Sequence, residues 1–369
     1  MVSGSQPVTA RLDMEVAAHR LQRDGAQFAA ARRLDALRAA LRAQDHAIAG
    51  WLRGAAARLA GRPRRALRGL YLWGGVGRGK TLLMDFFFAS PGMRAERSHF
   101  YHFMRDVHAE LAAARGRADP LEIVAQGIAA RTRVVCLDEF FVADIADAMI
   151  LAGLFDGLFR RGVVLVATSN TRPDELYKDG LQRQRFLPAI ELLRANLDVL
   201  HLDGAIDYRL RELEQAPTYL ESNAADAPLL LRRRFLALSG GGASGPVTLA
   251  IEGRPLPAVD SSGGMVWFEF VQLCDGPRSQ NDYIELARLY HTVFISDIPI
   301  FGAFDEDAAR RFVMLIDEFY DRAVKMVVSA AAPPAELYRG ERLSFEFQRA
   351  ASRLAEMQSQ PYLARPHRP

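Results

Sequence analysis

The chain has 369 residues, half of them hydrophobic and a quarter charged, with a formal charge of +3 at neutral pH. That length exceeds one ordinary core, so two compact units are expected, while so small a charge gives no ground for nucleic-acid binding. No stretch nears the ~20 apolar residues of a bilayer span, the N-terminus lacks a signal-peptide core, and a cytoplasmic protein is expected.

The first 66 residues are rich in alanine and arginine. Apolar residues at helical spacing, Phe28, Leu34, Leu37, Leu41 and Ile48 in a stretch ending at Trp51, predict a helical segment. Asp13, Glu15, Asp24, Asp35 and Asp45 are interspersed with the arginines, so the polar side reads as a solvated mixed-charge face.

From 67 to 204, short β-like runs alternate with longer helical ones, the pattern of a parallel sheet covered by helices on both faces. Strands are expected at 70–73, 98–103, 133–137, 163–168 and 198–202. The first leads into Gly74-Gly75-Val76-Gly77-Arg78-Gly79-Lys80-Thr81, a phosphate-binding loop. Glycines let successive backbone N–H groups face phosphate oxygens, and the helix that follows adds its positive end. Only three of the 47 basic residues are lysines, and Lys80 stands where a compact ammonium suits the β and γ phosphates better than a planar guanidinium. Thr81 offers a hydroxyl to Mg²⁺.

The next strand brings the second half of the chemistry. Val134-Val135-Cys136-Leu137 is a buried apolar run that ends on two acids. Asp138 is expected to hold Mg²⁺ through its water shell, and Glu139 to act as general base on the attacking water. Adjacent Asp-Glu, in place of a water-orienting glutamine, favours ATP hydrolysis over the Ras type of GTP hydrolysis. Asn170, after the strand at 163–168, is placed to contact the γ-phosphate or the water. Beyond it, Arg183 and Arg185 are candidates for a charge delivered to a neighbouring subunit's phosphate, which would require an oligomer. His99, His102 and His108 read as polar residues of a strand and helix start, since their spacing does not suit a metal. Cys136 and Cys274 lie in separate apolar runs and read as reduced core residues.

Past 205 the texture changes to Gly- and Ser-rich turns, 239–246 and 261–264, around hairpin-like segments at 247–251 and 265–271. The α/β rhythm resumes at 282. Residues 286–340 repeat the layout of 125–180, with Glu139 met by Ile298 and Asn170 by Ala330. This is either a catalytically silent partial repeat or the coincidence of two βα segments. Four regions result: 1–66 helical, 67–204 P-loop core, 205–281 β-rich insertion and linkers, and 282–369 a C-terminal α/β unit.

Together, residues 72–81, 136–150, 167–170 continuing through 177–181, Gly276-Pro277-Arg278-Ser279-Gln280-Asn281-Asp282-Tyr283 and 317–322 resemble the ZapE-type AAA+ ATPases, bacterial cell-division proteins with mitochondrial relatives. The likeness spans about residues 67 to 363. It implies an AAA+ P-loop fold, ATP and Mg²⁺, modulation of FtsZ polymers or another protein substrate, and a homo-oligomer when active. A peripheral contact with the inner face of the membrane at the division site belongs to the same implication, and Arg278 becomes a further candidate for a phosphate contact. Tyr101 departs from the family, which tends to place a histidine there, and the N-terminal segment matches poorly. Two other readings fit the same motifs: a nucleotide-gated adaptor with negligible turnover, and a helicase-loader-like, DNA-linked AAA+ protein.

Overall fold

Five strands form the sheet of the first unit: β1 (Gly69–Trp73), β2 (Ala95–His99), β3 (Val134–Asp138), β4 (Val164–Ser169) and β5 (Leu197–His201). They lie in the order β2-β3-β4-β1-β5, and every neighbouring pair is parallel. Successive side chains point to opposite faces, and both faces of the three inner strands β1, β3 and β4 are covered, so these read as nearly unbroken apolar runs. One face carries Tyr71, Val135, Leu137, Leu165 and Ala167. It packs against α4 (Phe100–Ala113), α5 (Pro120–Arg131), α6 (Ile145–Arg160) and α7 (Leu187–Asn196). The other carries Leu70, Leu72, Val134, Cys136, Val164 and Val166, packed against α1 (Val8–Ala17), α2 (Gly25–Arg53) and α3 (Lys80–Phe88). The fold class expected for the core is thus the one found.

The computed structural model describes residues 6–18, 21–53, 67–75, 77–89, 93–142, 144–203, 213, 217–221, 226–239 and 245–368, with the side chains of 45–53 excluded. The stretch 54–66, Val76 and most of the 239–246 linker therefore lie outside the described residues, and Ile48 and Trp51 are described as helix backbone alone.

Two expectations need correcting here. The strand placed at 98–103 ends at His99, and Phe100 already opens α4. The strand, Ala-Glu-Arg-Ser-His, is polar, whereas the helix start is aromatic, so the apolar pattern falls on the helix and not on the strand. The N-terminal segment is also no separate body. Phe28, Leu34, Leu37 and Leu41 are buried against the sheet, and the chain divides into Met1–Ala205 and Ile206–Pro369. Two acids read as surface charge instead cap helices. Asp24 accepts from the N–H groups of Ala26 and Gln27, and Asp35 from those of Val8 and Thr9. Such caps contribute about 1 kcal/mol each.

The second unit joins what the sequence divided at 282. Its main sheet runs β6 (Tyr219–Glu221), β12 (Lys325–Ala330), β11 (Thr292–Ile298), β10 (Met265–Glu269), β9 (Asp260–Ser262). Strands on both sides of the expected boundary hydrogen-bond to one another, since β10 pairs with β11 and β6 with β12. The hairpin expected near 247–251 is β7 (Val247–Ile251) with β8 (Arg254–Ala258).

The parallel set β6-β12-β11-β10 copies β1-β4-β3-β2. The helices follow suit: α8 (Ala227–Leu238), α9 (Phe270–Cys274), α10 (Gln280–Leu289), α11 (Glu306–Asp321) and α12 (Ser344–Met357), before the short α13 (Gln360–Leu363). Backbone detail repeats as well. Glu139 (φ 52°) gives its N–H to the Thr168 hydroxyl, and Asp297 (φ 63°) gives its N–H to the Ser329 hydroxyl. Glu139 is thus matched by Asp297 and Asn170 by Ala331, one residue away from the pairing the sequence suggested. A β-bulge in β11 between Ile295 and Ile298 hid the correct alignment.

Asp282 anchors this unit. It is fully buried, accepts from the Ser279 N–H and hydroxyl at 2.8 and 2.9 Å, and pairs with Arg254 at 2.7 Å and Arg278 at 3.4 Å. Burial opposes its charge, but the Ser279 donors and the two guanidiniums outweigh burial and hold its pKa below the usual carboxylate range. A lowered acid pKa contributes stability above the unfolded value near ~4 that is lost as pH falls through the folded one. Asp282→Asn is expected to cost about 3 kcal/mol in urea unfolding at pH 7, and to show less of this acid-side loss. Equal unfolding midpoints for wild type and variant at pH 7 would count against the anchor.

Candidate nucleotide-binding site

Three loops meet at the C-terminal edge of the first sheet, after β1, β3 and β4. Gly74 closes β1, giving its N–H to the Ser169 carbonyl at the end of β4. Gly77 and Gly79 take φ of 78°, the left-handed region that favours glycine, and Gly79 stands at the N-cap of α3. A Cβ on Gly79 would come within 2.8 Å of Gln27 Nε2, the movable end of a side chain, so the left-handed backbone and not space is what calls for glycine there.

Lys80 opens α3 and is buried. Its ammonium donates to the Gly74 and Gly75 carbonyls, both at 2.7 Å, and to Asn170 Oδ1 at 2.9 Å. The Asn170 amide in turn donates to Glu139 Oε2 at 3.3 Å. Loop lysine, strand-end asparagine and acid thus form one chain of contacts, with Thr81 beside Lys80 in the first turn of α3. Asp138 is buried, its Oδ2 accepting from Arg97 Nε at 2.5 Å and its Oδ1 from the Thr168 hydroxyl at 3.4 Å.

The donor set suits a magnesium-bound triphosphate. It offers an ammonium held by exchangeable carbonyl contacts, a helix N-terminus of nine residues, a hydroxyl and a buried carboxylate. Residues 7–366 match the family described as AFG1-like ATPase. The chain belongs to that family.

Among relatives, this AFG1-like ATPase is 53% identical over 302 residues to "Cell division protein ZapE" of Escherichia coli K12, covering 82% of this chain and 80% of that one. It is 38% identical over 342 residues to "Lactation elevated protein 1 homolog B" of Danio rerio, covering 80% and 68%. The solved structure titled "Crystal Structure of the DnaI" overlaps 49% of this chain and 87% of that one, at 15% identity and a TM-score of 0.33.

Three further expected site residues of this AFG1-like ATPase have contacts or exposure of their own. Arg183 donates to the Asp174 carbonyl at 2.7 Å, and Arg185, two residues on, is exposed. Arg278 sits in the second unit, held by Asp282 and by the Pro255 carbonyl at 2.7 Å. His99 ends β2 opposite Asp138, and burial lowers its pKa although Glu139 and Asp138 pull the other way, so it is neutral at pH 7. His108 pairs with Asp147 at 2.7 Å. Burial pushes the Cys136 thiol up to about 12, which makes it a core residue with no accessible thiolate.

Sequence reasoning missed Gln27 and Arg97, and with Arg97 its partner Asp85. Gln27 of α2 donates to the Arg78 carbonyl inside the loop at 3.1 Å. Arg97 bridges Asp138 and Asp85, at 2.5 Å to each. Burial disfavours the Arg97 charge, but the two carboxylates outweigh it and raise its pKa above the ordinary arginine value. An arginine inside a short strand was the available signal for Arg97, and misplacing β2 obscured it.

Proposed function

We propose that the chain hydrolyses ATP with Mg²⁺ and uses the cycle to remodel a protein partner in bacterial cell division. The name carried by the E. coli relative and the resemblance to its family favour an FtsZ polymer as that partner. The observation that carries the hydrolytic reading is the contact chain Lys80–Asn170–Glu139, which joins the phosphate grip to the acid.

In this reading the loop N–H groups from Gly74 to Gly79 and the Lys80 ammonium take the phosphates in place of the carbonyls that Lys80 now holds. Thr81 and Asp138 hold the magnesium, which when bound draws charge from the reacting phosphoryl group. Asn170, released from Lys80, aligns the water. Glu139 takes the proton from that water as its oxygen bonds to the γ-phosphorus and the bridging oxygen leaves with ADP. Arg185, exposed and close after β4, is better placed than Arg183 to serve a second copy, since Arg183 already holds its own backbone.

Phosphate release by purified protein, titrated with FtsZ and with anionic phospholipid vesicles at several protein concentrations, tests the proposal. Turnover is expected to rise with protein concentration and again with FtsZ. Concentration-independent release would remove the acting-in-trans arginine, and indifference to FtsZ would remove that partner. Release no faster than in protein-free buffer, with ATP still bound, would leave a nucleotide-gated adaptor.

A further inference from the structure

We infer that Arg97 is the positioning residue that aims the Asp138 carboxylate at magnesium on the bound nucleotide, an inference that rests on the site reading above. Arg97 lies on β2, beside Cys136 in the register and two residues before the position facing Asp138. Its Nε reaches Asp138 Oδ2 and its Nη1 reaches Asp85 Oδ1. Asp85 stands on α3 one turn after Thr81. One planar guanidinium therefore ties the helix that carries the metal-binding hydroxyl to the strand end that carries the metal-binding acid. A fork of fixed geometry can span two carboxylates, whereas an ammonium is a single point of charge. Among the described residues, the second oxygen of Asp138 accepts from the Thr168 hydroxyl at the long distance of 3.4 Å, which leaves it lone pairs for the water shell of a cation.

The second unit supplies an independent comparison. Its register places Trp267 where Arg97 stands and Ser296 where Asp138 stands. The contact persists there in neutral form, with Trp267 Nε1 donating to Ser296 Oγ at 3.3 Å. Its α8 begins Ala227-Pro228-Leu229-Leu230, with neither lysine nor hydroxyl. In the copy without a phosphate-gripping helix start, both charges are gone and the strands still pair. Holding β2 to β3 therefore needs no ion pair at these positions. The charges of Arg97 and Asp138 belong to a task that the second copy does not perform. Partners that orient a metal-binding group commonly change metal affinity by about 10–100-fold when removed.

The test is calorimetric ATP affinity of the full chain with Mg²⁺ and, separately, with EDTA, for wild type, Arg97→Met, Arg97→Lys and Asp85→Asn. Wild type is expected to gain affinity with Mg²⁺. Arg97→Met should lose about tenfold of that gain or more, with EDTA affinity within about twofold of wild type. Arg97→Lys should recover part of the gain, and Asp85→Asn, on a half-exposed partner, should lose a smaller part. An undiminished Mg²⁺ gain in Arg97→Met overturns the inference, as does an equal loss with and without Mg²⁺, which would mark a purely structural role. Should Arg97→Met not fold, Asp85→Asn decides, and an unchanged gain there overturns it. Wild type without any Mg²⁺-dependent affinity would bring down the site reading itself, whereas a gain indifferent to Arg97 and Asp85 brings down this inference alone.

Discussion

Steady-state phosphate release by Glu139→Gln is expected to fall by roughly 10²–10⁴-fold, with ATP affinity staying within about threefold of wild type. The amide is nearly the same size as the carboxylate and still accepts from the Asn170 amide, so the contact chain to Lys80 survives. The left-handed backbone at Glu139 is fixed by its N–H bond to Thr168, which the substitution does not touch. What disappears is the ability to take a proton. Single-turnover phosphate release and equilibrium ATP binding on the same preparation check this, and turnover near the wild-type rate would reassign the general base.

The second large effect concerns Lys80. Lys80→Ala is expected to weaken ATP binding by on the order of 100-fold, about 2.7 kcal/mol, in line with loss of a charge-assisted contact to phosphate. The ammonium is buried and its present partners are two carbonyls of the loop and Asn170. Its removal leaves those acceptors short of a donor, so a fall in thermal stability without nucleotide should accompany the loss of affinity. Fluorescence titration with a labelled ATP analogue measures the first effect and a melting curve the second. Affinity within threefold of wild type would mean that the loop amides alone hold the phosphates.

The site was far more legible than its surroundings. A phosphate loop and an acidic strand end each need particular residue types in sequence, so Lys80, Thr81, Asp138 and Glu139 announced themselves, and Asn170 followed from strand order. Gln27 and Arg97 did not, because their contacts cross 51 and 41 residues of sequence and depend on which strand and helix lie side by side. Three of the five strands of the first sheet, β1, β3 and β4, are legible because burial on both faces makes them nearly continuously apolar, and the edge strand β5 is legible from Leu197, Val199 and Leu200. The polar β2 broke that rule. In the second unit the repeat is visible in the sequence but its alignment slips by one residue, since the bulge at Ser296-Asp297 is set by strand pairing and not by residue type. The boundary at 282 failed for a related reason: glycine-rich turns mark where the chain bends, and they carry no information on which strands later pair.

The wall that α1 and α2 build against the sheet sets a lower limit on what can be made in isolation. A fragment opening at residue 67 would keep every diagnostic motif and yet strip Leu70 and Leu72 of the cover from Phe28, Leu34, Leu37 and Leu41, leaving α3 alone on that face. Apolar area of that kind drives association between copies, so such a fragment belongs in inclusion bodies. The smallest piece worth purifying for enzymology starts ahead of the helix at Val8, well upstream of the first recognisable signature.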